Sequence, residues 1–217
     1  MIDSLELRQK VIDTCKMLRE KGLVFGTWGN ISVRLNTGNI LITPSKIDYD
    51  VMEPDDLVVL ATDGSVVSGT RLSTSERELH RGILNKRKDV NVIIHTHSAY
   101  AMMAAARDTG VPVISEEMCQ LLGGPIPLTS KFVPSQEHVA LGEEVVASLT
   151  DTNAILIRNH GPMCFGRTLE ETMVCCQVVE KACQMYINLL ATGSYCKISD
   201  EYVKAGRDYF LYSYGKS

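Results

Sequence analysis

The chain is 217 residues long, 45% hydrophobic and 22% charged, with a formal net charge of −4. That is ordinary globular composition with ample material for a packed core, and it lacks the basic surplus that a general nucleic-acid binder needs to neutralise phosphates. Seven scattered cysteines without a Cys-x-x-Cys, no basic-then-apolar leader and no apolar run near the ~20 residues that span a bilayer point to reduced thiols in a cytoplasmic protein without membrane contact.

A helix is expected over about 4–21, where Asp3 can cap with Glu6 three places on, and Val11, Cys15 and Leu18 form one apolar stripe. Gly22 stops it. The run Phe25-Gly26-Thr27-Trp28-Gly29-Asn30 reads as a tight loop with exposed backbone N–H groups. Ile31 to Leu35 alternates like a half-buried strand, and Asn36-Thr37-Gly38-Asn39 turns it into Ile40-Leu41-Ile42. After the loop Thr43-Pro44-Ser45-Lys46, Leu57 to Leu60 and Ser65 to Val67 form strands around Asp63-Gly64. Ser75 with Glu78 forms a capping-box pattern, so a helix begins there with Glu76 in its first turn. Thr74 and Ser75 then lie at the positive end of the helix dipole, a place suited to an anion.

The apolar run Val90 to Ile94 leads into His95-Thr96-His97. On a strand, i and i+2 share a face about 7 Å apart, so both imidazoles can converge on one ion. His160, in Asn159-His160-Gly161, follows a second strand-like run, Ala154 to Ile157. Three imidazole nitrogens and the Glu76 carboxylate suit a tetrahedral zinc or a related divalent metal. The other two histidines, His80 and His138, read as surface or capping residues.

Helices are expected over about 98–108, 137–149 and 169–191, the last apolar on two faces and so buried on more than one side. Between them, Val111 to Ile114 reads as a short strand running into Glu116-Glu117, and Gly123-Gly124-Pro125 breaks the chain before Ile126-Pro127-Leu128. The C-terminal tail, about 195–217, carries Tyr209 to Tyr214, is too aromatic for a free end and is expected to dock on its own or a neighbouring subunit. These elements describe a single α/β domain over 1–217, a mixed, largely antiparallel β-sheet sandwiched by α-helices.

Gly29-Asn30-x-Ser32, Thr43-Pro44-Ser45, Thr74-Ser75-Glu76, His95-Thr96-His97 and Asn159-His160-Gly161, in this order and spacing, resemble the class II aldolase/adducin family across about residues 5–192. The resemblance implies zinc-dependent retro-aldol cleavage of a ketose 1-phosphate to dihydroxyacetone phosphate and an aldehyde. It also admits a sugar-phosphate 4-epimerase, or a zinc-dependent dehydratase or decarboxylase of a related sugar phosphate. An adducin-type binding module is disfavoured because such modules lack the full metal triad. The resemblance implies one zinc, or another divalent ion, per subunit on His95, His97 and His160, with Glu76 as fourth ligand or acid/base. It implies a phosphate cradle from Gly29, Asn30, Ser45, Lys46, Thr74 and Ser75, and a homotetramer with active sites between subunits. Two positions depart from the aldolase pattern. Lys46 stands where a small glycine is usual, and either adds charge to the phosphate site or faces solvent. Ser115-Glu116-Glu117-Met118 stands where a tyrosine from the neighbouring subunit is usual, so Glu116 or Glu117 becomes the second acid/base.

Overall fold

The computed structural model describes residues 1–215. Helix α1 spans Leu5–Glu20, and its cap is Ser4, whose Oγ accepts from the Leu7 N–H. Asp3, the expected cap, instead pairs with Arg8 at 2.7 Å. Seven strands follow in one sheet: β1 Asn30–Arg34, β2 Ile40–Ile42, β3 Val58–Leu60, β4 Val66–Ser68, β5 Val92–His95, β6 Ala154–Ile157 and β7 Gly161–Gly166. Their spatial order is β4-β3-β2-β1-β5-β7-β6, and every ladder is antiparallel.

The remaining helices are α2 Arg77–Lys86, α3 Ala99–Ala105, α4 His138–Ser148, α5 Leu169–Thr192 and α6 Asp200–Tyr212. Strand side chains alternate between two cores. Ile31, Val33, Val92, Ile94, Leu156 and Cys164 pack with α1, α3 and α5, whereas Ile93, Ile155, Met163 and Phe165 pack with α2 and α4. This is the helix–sheet–helix sandwich that the hydrophobic pattern predicts. Strand β1 departs from its expected half-burial: Asn30 to Val33 are all buried because both faces of the sheet are covered. Helix α5 is buried along most of its girth, with Leu169, Met173, Cys176, Val179 and Cys183 in the core. Its Thr168 cap accepts from the Glu171 N–H at 3.1 Å.

Three local expectations change. Val111 to Ile114 forms only an isolated bridge, Val111 with Ile126, in place of a strand. Helix α3 ends at Ala105, short of the expected 108. The segment Met118–Leu122 winds as a π-turn, and the tail beyond it is the helix α6. Arg207 of α6 donates to the Gln120 and Leu121 carbonyls at 2.7 and 2.9 Å, so the tail docks on its own chain through the π-turn. Tyr209, Tyr212 and Tyr214 nevertheless stay exposed, and positions 216 and 217 of the expected tail lie outside the described residues. Six cysteines are buried free thiols, and Cys196 is an exposed one. Among the described residues no helix is long and apolar enough to cross a membrane.

Candidate metal and substrate site

The site forms where β1 and β5 end beside the start of α2. Antiparallel pairing sets Asn30 opposite His95, so their side chains leave the sheet together on the face covered by α2. Only His95 lies on the strand. His97 is two residues past its end, held by its N–H to the Leu23 carbonyl at 3.2 Å. His160 arrives from the turn between β6 and β7, where Asn159 takes a left-handed φ of 55°. Asparagine tolerates that conformation better than most residues. Gly161 follows because a Cβ there would come 2.5 Å from the Thr96 carbonyl and crowd the His95 ring. Gly29 is needed for a similar reason, since its Cβ would meet Val24 at 2.6 Å and the His95 carbonyl at 3.0 Å.

The three rings form a nearly equilateral triangle, with centroids 4.8, 4.9 and 5.0 Å apart. One ligand nitrogen from each can be chosen so that all lie within 4.8 Å of one another. His95 Nδ1 faces the Pro162 carbonyl at 2.9 Å and must donate to it, which leaves Nε2 as a lone pair. That nitrogen lies 2.9 Å from His97 Nε2. Two ring nitrogens so close need a proton or a cation between them. Burial lowers the proton affinity of His95, and burial with its imidazole neighbours takes His97 down to about 3. Neutral imidazoles converging beside a carboxylate are a donor set that fits a divalent cation.

Glu76 completes the group from the N-cap of α2, with Oε1 at 3.1 Å from His160 Nε2 and Oε2 at 3.5 Å from His95 Nε2. The expected capping box is absent. The helix begins two residues after Ser75, and Glu78 pairs with Arg81 instead. Burial alone would raise the Glu76 proton affinity. The imidazoles of His95 and His160 and the Asn30 amide outweigh it and hold the group well below the usual carboxylate range.

Behind Glu76 runs a buried polar chain. Asn30 Nδ2 donates to Glu76 Oε2 at 2.7 Å. Asn30 Oδ1 in turn accepts from His80 Nε2, which leaves His80 Nδ1 to accept from Ser32 Oγ at 2.7 Å. His80 is therefore not the surface or capping residue its isolation suggested. It is fully buried, and burial takes its pKa down to about 3. Its position one helical turn after Glu76 is the sequence signal that could have found it, because i and i+4 share a helix face. The Asn30 amide is engaged with Glu76 and His80, and the residue also lines a cavity in front of the cluster. His138 is exposed, as expected.

A cavity of about 280 Å³ opens in front of the cluster. Gly29, Asn30, Ser45, Lys46, Thr74, Ser75 and Glu76 line it with His97 and His160, and Thr27 and Ser135 add two hydroxyls that sequence reading did not single out. Lys46 is the one Lys or Arg on the wall, and its ammonium has no hydrogen bond or ion pair among the described residues. Its backbone φ is 61°, a left-handed conformation that glycine adopts without the Cβ penalty. Glu116 and Glu117 do not reach this cavity within the chain. Glu116 accepts from Gln120 at 3.0 Å, and Glu117 pairs with Lys181 of α5 at 2.6 Å.

Residues 9–187 match the class II aldolase and adducin N-terminal domain. An L-fuculose phosphate aldolase of Haemophilus influenzae is 30% identical over 193 residues, 87% of this chain and 85% of that protein. An L-ribulose-5-phosphate 4-epimerase of Salmonella typhi is 28% identical over 190 residues, 83% of each. A solved L-fuculose 1-phosphate aldolase superposes with a TM-score of 0.90 at 26% identity, covering 96% of this chain and 98% of that one.

Proposed function

The chain belongs to the class II aldolase and adducin family, and from that premise we propose that it cleaves a ketose 1-phosphate to dihydroxyacetone phosphate and an aldehyde. One observation carries the reading. The imidazoles of His95, His97 and His160 converge with the Glu76 carboxylate beside a cavity whose lining also carries hydroxyls and one lysine. Breaking a carbon–carbon bond next to a ketone puts negative charge on the ketone oxygen. A divalent cation such as zinc, held by those three imidazoles, supplies Lewis-acid stabilisation of that charge. Glu76 moves the proton at the carbon where the bond breaks, because it is the carboxylate that faces both the cluster and the cavity. Asn30 fixes Oε2, and Oε1 lies 3.1 Å from His160 Nε2. Ser45, Lys46, Thr74 and Ser75 hold the phosphate, with Lys46 supplying the counter-charge.

Release of the aldehyde needs a second group to take the hydroxyl proton. We place that role on Glu116 or Glu117 of a neighbouring copy in a homotetramer, since neither reaches its own chain's cavity. The exposed aromatic side chains of α6 support such contacts. Light scattering at micromolar concentration is expected to give four subunits, and a monomer would refute the shared site. The reaction itself is tested by incubating the protein with several ketose 1-phosphates and coupling to dihydroxyacetone-phosphate reduction. Cleavage of at least one is expected. Isomerised pentose 5-phosphate with no triose formed would assign the 4-epimerase reaction instead.

A further inference from the structure

The three imidazoles are anchored in different ways. His95 is locked into the sheet, whereas His97 and His160 lie outside the strands. The short helix α3 connects these two. It starts two residues after His97. At its other end the Ala105 carbonyl accepts the Asn159 N–H at 3.0 Å, next to His160. Seven residues of helix make a stiff rod about 10 Å long, so α3 is a strut between two of the three rings. What fixes the strut comes from elsewhere in the chain. Its N-cap residue, Ser98, makes no side-chain cap, and the Ser98 Oγ is buried without a hydrogen-bond partner among the described residues. The first-turn N–H groups of Tyr100 and Ala101 go instead to Oε1 and Oε2 of Glu180, each at 2.9 Å. Such N–H groups have no partner within their own helix, and a side chain at the helix's own start is the usual acceptor. A remote carboxylate in that place ties α3 to the long, largely buried α5.

We infer that Glu180 is a positioning residue for the cation site: by capping α3 from α5, it holds His97 and His160 at the spacing that lets them meet His95 on one divalent ion. The inference is independent of which bond the enzyme breaks, but it rests on the reading of the three imidazoles as the ligands of the cation. His97 depends on the cap most. Its other restraints are the N–H contact to the Leu23 carbonyl and an edge-on contact with Trp28, a ring that is itself 66% exposed. Without the Glu180 carboxylate, two first-turn N–H groups lose their acceptor, and the start of α3 is free to unwind or to turn toward the Ser98 hydroxyl. Either change moves the backbone that carries the His97 ring, while His95 stays bonded to the Pro162 carbonyl and paired in the sheet. Groups that orient a metal's ligands typically contribute 10- to 100-fold to metal affinity, and Glu180, acting through a helix, belongs at the lower end.

The test titrates cobalt(II), whose visible absorption reports the geometry of its ligands, into metal-stripped full-length protein, with affinity read by competition against a chelator. Glu180→Ala is expected to bind Co(II) about tenfold more weakly than the wild type and to show an altered visible spectrum. Glu180→Gln, which keeps one acceptor oxygen, should fall between the two, and it alone gives the comparison if Glu180→Ala fails to fold. Thr168→Ala, which removes the cap at the start of α5, is the control for stability. It should lower the urea midpoint as a lost helix cap does, yet leave Co(II) affinity and spectrum at their wild-type values. Wild-type affinity and spectrum in the Glu180 variants would overturn the positioning role alone. An equal loss of affinity in Thr168→Ala would overturn it too, because the effect would then be general destabilisation. A wild type that binds no Co(II) would overturn the cation reading on which the inference rests.

Discussion

Two acidic segments of this molecule look alike in sequence and are treated differently by the fold. Thr74-Ser75-Glu76 and Ser115-Glu116-Glu117 each place carboxylates beside hydroxyls just ahead of a helical turn. Glu76 is buried, and Asn30, His95 and His160 surround both its oxygens. Glu117 forms a surface pair with Lys181, and Glu116 contacts Gln120 one turn away. The difference comes from the scaffold. The start of α2 is seated against the ends of β1 and β5 at the centre of the sheet, whereas the π-turn lies at the periphery under α6. A carboxylate fixed by buried neutral donors stays an anion aimed in one direction. A surface pair holds its carboxylate weakly, with a value of roughly 0–1 kcal/mol.

That contrast can be broken at several points. The largest effect is expected from His97→Ala, which removes one corner of the imidazole triangle. Activity and most of the divalent metal found in the purified protein should disappear together. Full metal occupancy by elemental analysis of this variant would sink the assignment. Next comes Glu76→Gln, which keeps the shape and the contact to Asn30 but abolishes the base. It should retain metal through the histidines yet lose at least ~10²-fold in kcat. Ser75→Ala should raise KM by about 10- to 100-fold, as a charge-assisted hydrogen bond worth roughly 1.5–3 kcal/mol is lost, while kcat changes little. Unchanged affinity for inorganic phosphate in that variant would remove Ser75 from the cradle.

A smaller effect sharpens the role of the buried chain behind Glu76. His80 is neutral when folded, with its pKa pushed by burial to about 3 from 6.5. The unfolded chain therefore binds a proton at this position between those pH values and the folded chain does not. Its contribution to stability is complete above pH 6.5 and declines as pH falls toward 3. His80→Gln keeps a donor for Asn30 and removes the titration. The pH slope of the unfolding free energy in that window should fall by about 1.4 kcal/mol per pH unit, the equivalent of one proton. An unaltered slope in urea titrations would mean that His80 is accessible to protons in the folded state.

The sheet and its covering helices were legible because hydrophobic runs of Val, Ile and Leu bounded by Asn, Asp and Gly turns leave little choice. The histidines were legible for a related reason, since each follows such a run and strand ends deliver side chains to one place. Tertiary context decided the rest. The Ser75–Glu78 pattern favours a local cap, yet seating Glu76 between Asn30 and His160 moves the cap one residue on, to Glu76, and frees Glu78 for Arg81. His80 looked solitary because its partners, Ser32 and Asn30, are 48 and 50 residues away. The contact of Asn30 with Glu76 was not legible, because it depends on the pairing of β1 with β5 that sets Asn30 opposite His95. The helix α6 was hidden by its aromatic residues and Gly206, which lies against Cys119 of the π-turn.

The central claim is that Glu76, held by Asn30 and facing the three imidazoles, moves the proton. It is tested most directly by following the hydroxymethyl hydrogens of dihydroxyacetone phosphate in deuterated solvent by NMR. The wild type should exchange one of them stereospecifically, and metal-replete Glu76→Gln should show exchange slowed by at least ~10²-fold. Exchange at the wild-type rate in that variant would contradict the account and move the base elsewhere, with Glu116 or Glu117 of a neighbouring copy the next group to replace.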